Sequence, residues 1–354
     1  MLRDRWWKGR QTRAFTLQWH LTNACGFHCR HCYDRSTRDD VGAAEAFRLF
    51  DQLQQFCRRR RVQPRLCLTG GDPLRHPAFW DLYAAAAGAR IGVSVLGNPT
   101  DGGTIERLLA ICPPAFYQVS LEGLELHNDE MRGPGHFAQT MAFLHEARRR
   151  GLRTIVMLTL TRANLDQVIP LGDALTGLTS RFTFNRVSPV GEATTLELPT
   201  PAEFEDFLGR YLDARRRNPV LGLKENLFSL VRDRAGTPPS RGCTGHGCGA
   251  AFNFLAVLPD GEVHACRKFP SPVGHLREAS LEAIYDSEAA RRYRAGSAAC
   301  AGCHLRRVCG GCLASTHGAG LDPFVDRDPY CVAPPHRHAP TPMERARSCF
   351  PARA

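Results

Sequence analysis

Between residues 14 and 190 the hydrophobic positions follow two alternating rhythms. Short apolar runs rich in β-branched and aromatic residues predict strands over 15–21, 66–69, 92–96, 116–121, 154–160 and 181–187. Between them, apolar residues recur at helical spacing over 43–57, 77–87, 104–111, 137–150 and about 165–175. Strands separated by helices imply a parallel sheet with its faces covered, because a parallel connection needs a crossover of this length. Six such units fall short of a closed eight-fold ring, so the expected fold class is α/β, a partial (β/α)6 barrel of TIM type.

The rhythm changes after residue 190. Residues 191–200 are polar and turn-rich, 201–217 are amphipathic, and a Pro/Gly-rich stretch occupies 237–242, so 191–240 is expected to be a helical linker region. Residues 241–335 are dense in cysteine and poor in periodic structure, apart from a hairpin expected over 252–264 that turns at Pro259-Asp260-Gly261. They are read as a small metal-dependent domain. Residues 1–13 form an N-terminal extension, and the Pro/His-rich 336–354 are expected to be a disordered tail. With the first strand at residue 15, no room is expected for an N-terminal winged-helix domain that would bind a leader peptide.

Composition adds two constraints. No apolar run reaches 18 residues and the first ten lack the apolar core of a secretory signal, so a cytoplasmic protein with no membrane partner is expected. The formal charge of +11 sits largely in arginine runs (58–61, 148–150, 215–217) at predicted helix C-termini, where cations complement the helix dipole, and no nucleic-acid partner is expected. The fifteen cysteines point to metal rather than disulfides in such a compartment. Eleven fall at 25–32 and 243–331; Cys57, Cys67, Cys112 and Cys349 stand apart as small hydrophobes.

Directly after the first strand comes Cys25-Gly-Phe-His-Cys29-Arg-His-Cys32-Tyr33, at the strand end where barrel folds carry their active sites. Three thiolates on a four-iron cluster leave one iron open, while a three-cysteine zinc site completed by His28 or His31 is the alternative. The Cys-x3-Cys-x2-Cys-aromatic spacing resembles the defining motif of the radical S-adenosylmethionine superfamily. The resemblance implies a [4Fe-4S] cluster on Cys25, Cys29 and Cys32. It further implies S-adenosyl-L-methionine chelated at the open iron and reductively cleaved to a 5′-deoxyadenosyl radical, with Tyr33 beside the adenine.

Thr69-Gly70-Gly71-Asp72-Pro73, ending the second strand, resembles the superfamily's Gly-Gly-Glu-Pro element with aspartate for glutamate, and would offer backbone carbonyls to the methionine ammonium. The resemblance places Asn98, Ser120 and Arg132 near the ribose and the cofactor carboxylate. Arg132 can hold a carboxylate bidentately or can belong to a solvated Arg-Gly-Pro-Gly turn. Leu160 is read as core rather than an adenine contact.

Downstream the order is Cys243-x4-Cys248-x12-Gly261-x4-Cys266, then Cys300-x2-Cys303-x5-Cys309-x2-Cys312, then Cys331. This resembles the SPASM domain of radical enzymes that modify peptides and proteins. The resemblance implies two auxiliary clusters, one on Cys243, Cys248, Cys266 and Cys312, the other on Cys300, Cys303, Cys309 and Cys331, for electron relay. Structural zinc on the middle four cysteines is the rival reading.

The resemblance implies a precursor-peptide substrate, with an electron donor such as flavodoxin or ferredoxin. The residues around Cys248 and Cys266 resemble maturases of the selenobiotic, thio(seleno)oxazole peptide type. In sulfatase-maturing relatives an aspartate base follows the cysteine that Cys266 matches; here Arg267 follows, which argues against that chemistry. Glu122, His127 and His264 are possible bases with no ground for choosing among them. Action on a protein side chain, on a small molecule or tetrapyrrole, or no catalysis at all, remain the alternatives.

Overall fold

The computed structural model describes residues 12–333. Most of the expected N-terminal extension, the expected tail and Cys349 lie outside the described residues. Strands β1 (Ala14–Thr22), β2 (Gln63–Gly70), β3 (Gly92–Leu96), β4 (Phe116–Ser120), β5 (Thr154–Leu160) and β6 (Phe182–Arg186) pair in parallel, in chain order. Helices α1 (Ala43–Arg60), α2 (Phe79–Gly88), α3 (Gly102–Ile111), α5 (His136–Arg149) and α6 (Val168–Ala174) follow the first five strands as the periodicity predicts. The architecture is thus a six-unit partial barrel.

One barrel helix has no counterpart in the predicted pattern. Helix α4 (Glu125–Arg132) buries only Asn128 and Met131 along its eight residues and exposes Leu126. Without an apolar stripe, hydrophobic periodicity cannot reveal it.

Beyond the barrel come α7 (Pro201–Arg217), α8 (Phe228–Arg234), β7 (Phe254–Val257), β8 (Glu262–His264), β9 (Pro272–His275), α9 (Leu281–Tyr285), α10 (Glu288–Ala295) and α11 (Leu313–Gly318). The stretch expected to be a linker is packed core: Thr200 and Glu203 form a capping box with Pro201 at the first turn of α7. Its buried Phe204, Phe207 and Tyr211 then surround Phe184 of β6 at ring separations of 5.2–6.5 Å. The hairpin forms between β7 and β8, but β7 also pairs parallel with β1, giving one nine-stranded sheet in the order β6-β5-β4-β3-β2-β1-β7-β8-β9. The cysteine-dense region therefore covers the barrel edge that β1 would otherwise leave unpaired.

The three arginine runs occupy the last turns of α1, α5 and α7 and the residues just beyond. No described helix is long and apolar enough to cross a membrane.

His136 opens α5 in the interior, with Nδ1 3.2 Å from Asn128 Nδ2. Burial first, then the Arg132 charge, pulls its pKa down from about 6.5 to about 4. The unfolded chain therefore takes up this proton before the folded one does, so stability is full above about pH 6.5 and is lost as pH falls toward about 4. Urea midpoints measured at about pH 7 and pH 5 should fall on acidification, and His136→Asn should reduce that fall.

Candidate active site between the barrel and the C-terminal cysteines

The loop of residues 23–42 leaves β1 without regular structure and carries Cys25, Cys29 and Cys32, each half-buried. Backbone bonds from distant segments hold it: Gly71 N to Thr22 O at 2.7 Å, Asp72 N to Ala24 O at 2.8 Å, Arg30 N to Met131 O at 2.9 Å and Glu192 N to Cys32 O at 2.9 Å. The two glycines serve this fixation, since a Cβ on Gly70 would lie 2.2 Å from Thr22 O and one on Gly71 2.6 Å from Ala24 O. Their close backbone approach is thus to the cysteine loop itself, where the sequence suggested approach to a ligand.

Hydrogen-bond donors converge on the sulfurs. Phe27 N and Asn98 Nδ2 each lie 3.5 Å from Cys25 Sγ, and Arg132 Nη1 lies 3.6 Å from Cys29 Sγ. Burial raises the Cys29 pKa; Arg132 opposes this, and the neighbouring Glu122, Cys25 and Cys32 add to it. Three thiols within electrostatic reach of one another and furnished with donors are chemically suited to an iron–sulfur cluster, whose sulfur ligands are tuned by such contacts.

Arg132 is held inward, its side chain only 11% exposed, and is not part of a solvated turn. Its Nε and Nη2 donate to Glu122 Oε1 at 2.9 and 2.5 Å, and Thr159 N donates to Glu122 Oε2 at 2.6 Å. Burial would raise the pKa of Glu122, yet His31, Arg132 and the Thr159 amide together hold it down. Burial likewise pushes His31 down to about 4, so it is neutral near pH 7. Glu122 is fully buried and committed, and none of Glu122, His127 and His264 lines the cavity at the site. This removes the geometric support for each of them as a base acting there.

That cavity, of about 1620 Å³, runs along the inner barrel face. Its wall includes the three loop cysteines, Tyr33, Gly70, Gly71, Asn98, Ser120 and Arg132. Asp72 and Pro73 lie outside it: Asp72 accepts from Leu74 N at 3.3 Å and caps the short turn that begins with Pro73. Leu160 is wholly buried core. On its far side the same cavity reaches Cys243, Cys266, Arg267 and Lys268.

Cys243, Cys248, Cys266 and Cys312 come together: burial first, and then the neighbouring thiols, push Cys248 up to about 12 and Cys266 up to about 11. Lys268 Nζ stands 3.9 Å from Cys312 Sγ. A second group brings Cys300, Cys303, Cys309 and Cys331 together: burial raises the pKa of Cys300, Cys309 and Cys331, and the nearby thiols add to it. Among the described residues, no three His, Cys, Asp or Glu side chains are collected around a single-ion site. Cys57 and Cys67 are buried with pKa values pushed up by burial to about 12, and Cys112 is exposed.

Sequence reasoning missed the Glu122–Arg132 pair and the direction of Arg267. The guanidinium of Arg267 turns away from the auxiliary thiols and lies 4.4 Å from the Tyr33 ring centre.

Two family models match the chain: the radical SAM superfamily over residues 19–174, and the SPASM iron-sulfur cluster-binding domain over 248–312. An AdoMet-dependent heme synthase of Methanosarcina barkeri is 24% identical over 350 residues, 90% of this chain and 96% of that protein. The mycofactocin maturase MftC of Mycobacterium ulcerans is 29% identical over 350 residues, 92% of each chain. The solved structure of Streptococcus suis SuiB bound to precursor peptide SuiA superposes with a TM-score of 0.70 at 18% identity, covering 94% of this chain and 79% of that one, a likeness of fold.

Proposed function

Because this chain carries a radical SAM domain joined to a SPASM domain, we propose that it is a maturase abstracting hydrogen from a residue of a ribosomally synthesised peptide. The observation that carries this reading is the single cavity that joins the three-thiol loop to Cys243 and Cys266 of the C-terminal region. A peptide residue held there would meet both. The mycofactocin maturase and the peptide-bound SuiB support a peptide substrate by likeness.

In this proposal Cys25, Cys29 and Cys32 hold a [4Fe-4S] cluster, and Tyr33, Gly70, Gly71, Asn98, Ser120 and Arg132 line the pocket for S-adenosyl-L-methionine, with Asp72 and Pro73 in the turn behind the two glycines. When bound, cluster and cofactor supply a 5′-deoxyadenosyl radical at the cavity. The protein's own residues position and shield: Asn98 and Arg132 orient the Cys25 and Cys29 sulfurs, and Glu122 fixes Arg132 from below. The two downstream sets, within residues 241–335, would hold auxiliary clusters that relay electrons, and a donor such as flavodoxin or ferredoxin in the cytoplasm would supply the electron for cofactor cleavage.

Anaerobic reconstitution tests the reading. It expects about twelve irons per chain, as three four-iron clusters require. It also expects 5′-deoxyadenosine and methionine with dithionite, and a mass change in a short peptide encoded beside the gene. Stoichiometric zinc with little iron would sink it. Cys331→Ala should leave some cofactor cleavage while stopping peptide modification; full modification by that variant would refute the relay role. The heme-synthase likeness supports a second reading, a tetrapyrrole substrate. It is favoured if a tetrapyrrole, and no peptide, is altered in the same assay.

A further inference from the structure

The cavity wall is unevenly charged. Its carboxylates, Asp34, Asp39 and Asp40, all sit on the loop after Tyr33 beside Arg35 and Arg38, whereas the barrel and the C-terminal region contribute cations and no carboxylate. Several of those cations are committed: Arg38 to Asp260 and Glu262, Arg132 to Glu122, and Arg186 to Glu225 and Asp328. Lys268 faces the Cys312 sulfur. Arg267 and Lys224, like Arg13, Arg35, Arg65 and Arg241 of the same wall, form no ion pair among the described residues; these two also lie close enough to Cys67, on the inner face of β2, to lower its pKa against the burial that raises it.

Arg267 is positioned for recognition by its surroundings. Its chain neighbour Cys266 faces the first auxiliary set, yet its own guanidinium lies 4.4 Å from the Tyr33 ring centre, on the barrel side. Its Nε is buried with no hydrogen-bond partner. A buried donor without an acceptor is costly unless something fills the position. A planar guanidinium presents paired N–H donors, which a carboxylate satisfies with two parallel bonds. Contact with Tyr33 holds that fork in place.

Resting on the peptide reading above, we propose that Arg267, assisted by Lys224, binds a carboxylate of the substrate peptide inside the cavity. The substrate class is thus narrowed to peptides that present an anionic group at the modified segment. The carboxylate can be an Asp or Glu side chain or the C-terminus, which share this chemistry.

Binding can be read without turnover. Holoenzyme with its iron content verified is titrated, by fluorescence anisotropy, with three dansyl-labelled octapeptides of otherwise neutral sequence. One carries a free C-terminus, one is amidated with a central Glu, and one is amidated and wholly neutral. At least one carboxylate peptide should bind about tenfold more tightly than the neutral peptide, a difference of about 1.4 kcal/mol, and which one does identifies the source of the carboxylate. Arg267→Gln should remove that preference and Arg267→Lys should restore part of it, both with iron content retained as the check on folding. Equal affinity for all three peptides, or a preference that survives Arg267→Gln, would overturn the proposal. Failure to form 5′-deoxyadenosine or modified peptide would instead sink the peptide-maturase reading, and leaves this titration interpretable because it requires no chemistry.

Discussion

Cys29→Ala is expected to reduce 5′-deoxyadenosine formation in the reconstituted protein to background, a loss of more than about 100-fold, since removing a ligand should cost at least as much as removing the partner that orients one. Cys25→Ala and Cys32→Ala should do the same. The physical ground is that the loop offers three thiols, and the donors around it are aimed at Cys25 and Cys29. With one thiol gone, Arg132 keeps its bond to Glu122 but loses the sulfur its Nη1 faces. Chromatographic quantification of 5′-deoxyadenosine and methionine checks this, with iron content as the companion measurement. A variant that kept cleavage at the unmodified rate would remove this loop from the chemistry.

Arg186→Met should destabilise the fold by about 3–5 kcal/mol, because it strands two buried carboxylates. Arg186, at the end of β6, is 1% exposed. It bonds Glu225 at 3.1 and 3.0 Å and Asp328 at 2.8 and 2.7 Å. Burial works against its charge, yet Asp328 and Glu225 raise its pKa well above the usual value. Asp328 in turn accepts from Cys312 N at 2.8 Å and Tyr330 N at 3.1 Å, so the barrel grips the segment between Cys312 and Cys331 through this one carboxylate. Urea unfolding should show the loss as a lower midpoint. Combining Arg186→Met with Glu225→Gln and Asp328→Asn should recover much of it, because no buried charge is then left uncompensated. If the single and triple variants were equally unstable, uncompensated charge would not be the cause.

The six-unit barrel was legible because each strand and most helices carry a local apolar period, and a period survives any arrangement of the rest of the chain. Helix α4 was not, since its eight residues carry only Leu126 and Met131 as hydrophobic side chains, too few to mark an apolar face. The packing of the stretch read as a helical linker region was not legible for a related reason. The amphipathy of α7 showed that one face needed a partner, but the partner, Phe184, is contributed by a barrel strand.

The sequence by itself determined the chemistry of the chain: three thiols in eight residues after a strand, and eight more spaced for metal downstream. Spacing suffices for the three-thiol loop, because residues so near in the chain can converge whatever the fold, whereas the downstream eight, spread over 243–331, are gathered by tertiary structure. Which distant groups meet was decided only by tertiary structure. Pairing of β7 with β1 brings the cysteine-dense region against the barrel, so that one cavity serves both. The same packing buries Glu122 under Arg132 and turns Arg267 toward Tyr33, 234 positions away in the chain (267 − 33). Side-chain direction at such separations depends on how strands register and what the core excludes, and neither is written in local spacing.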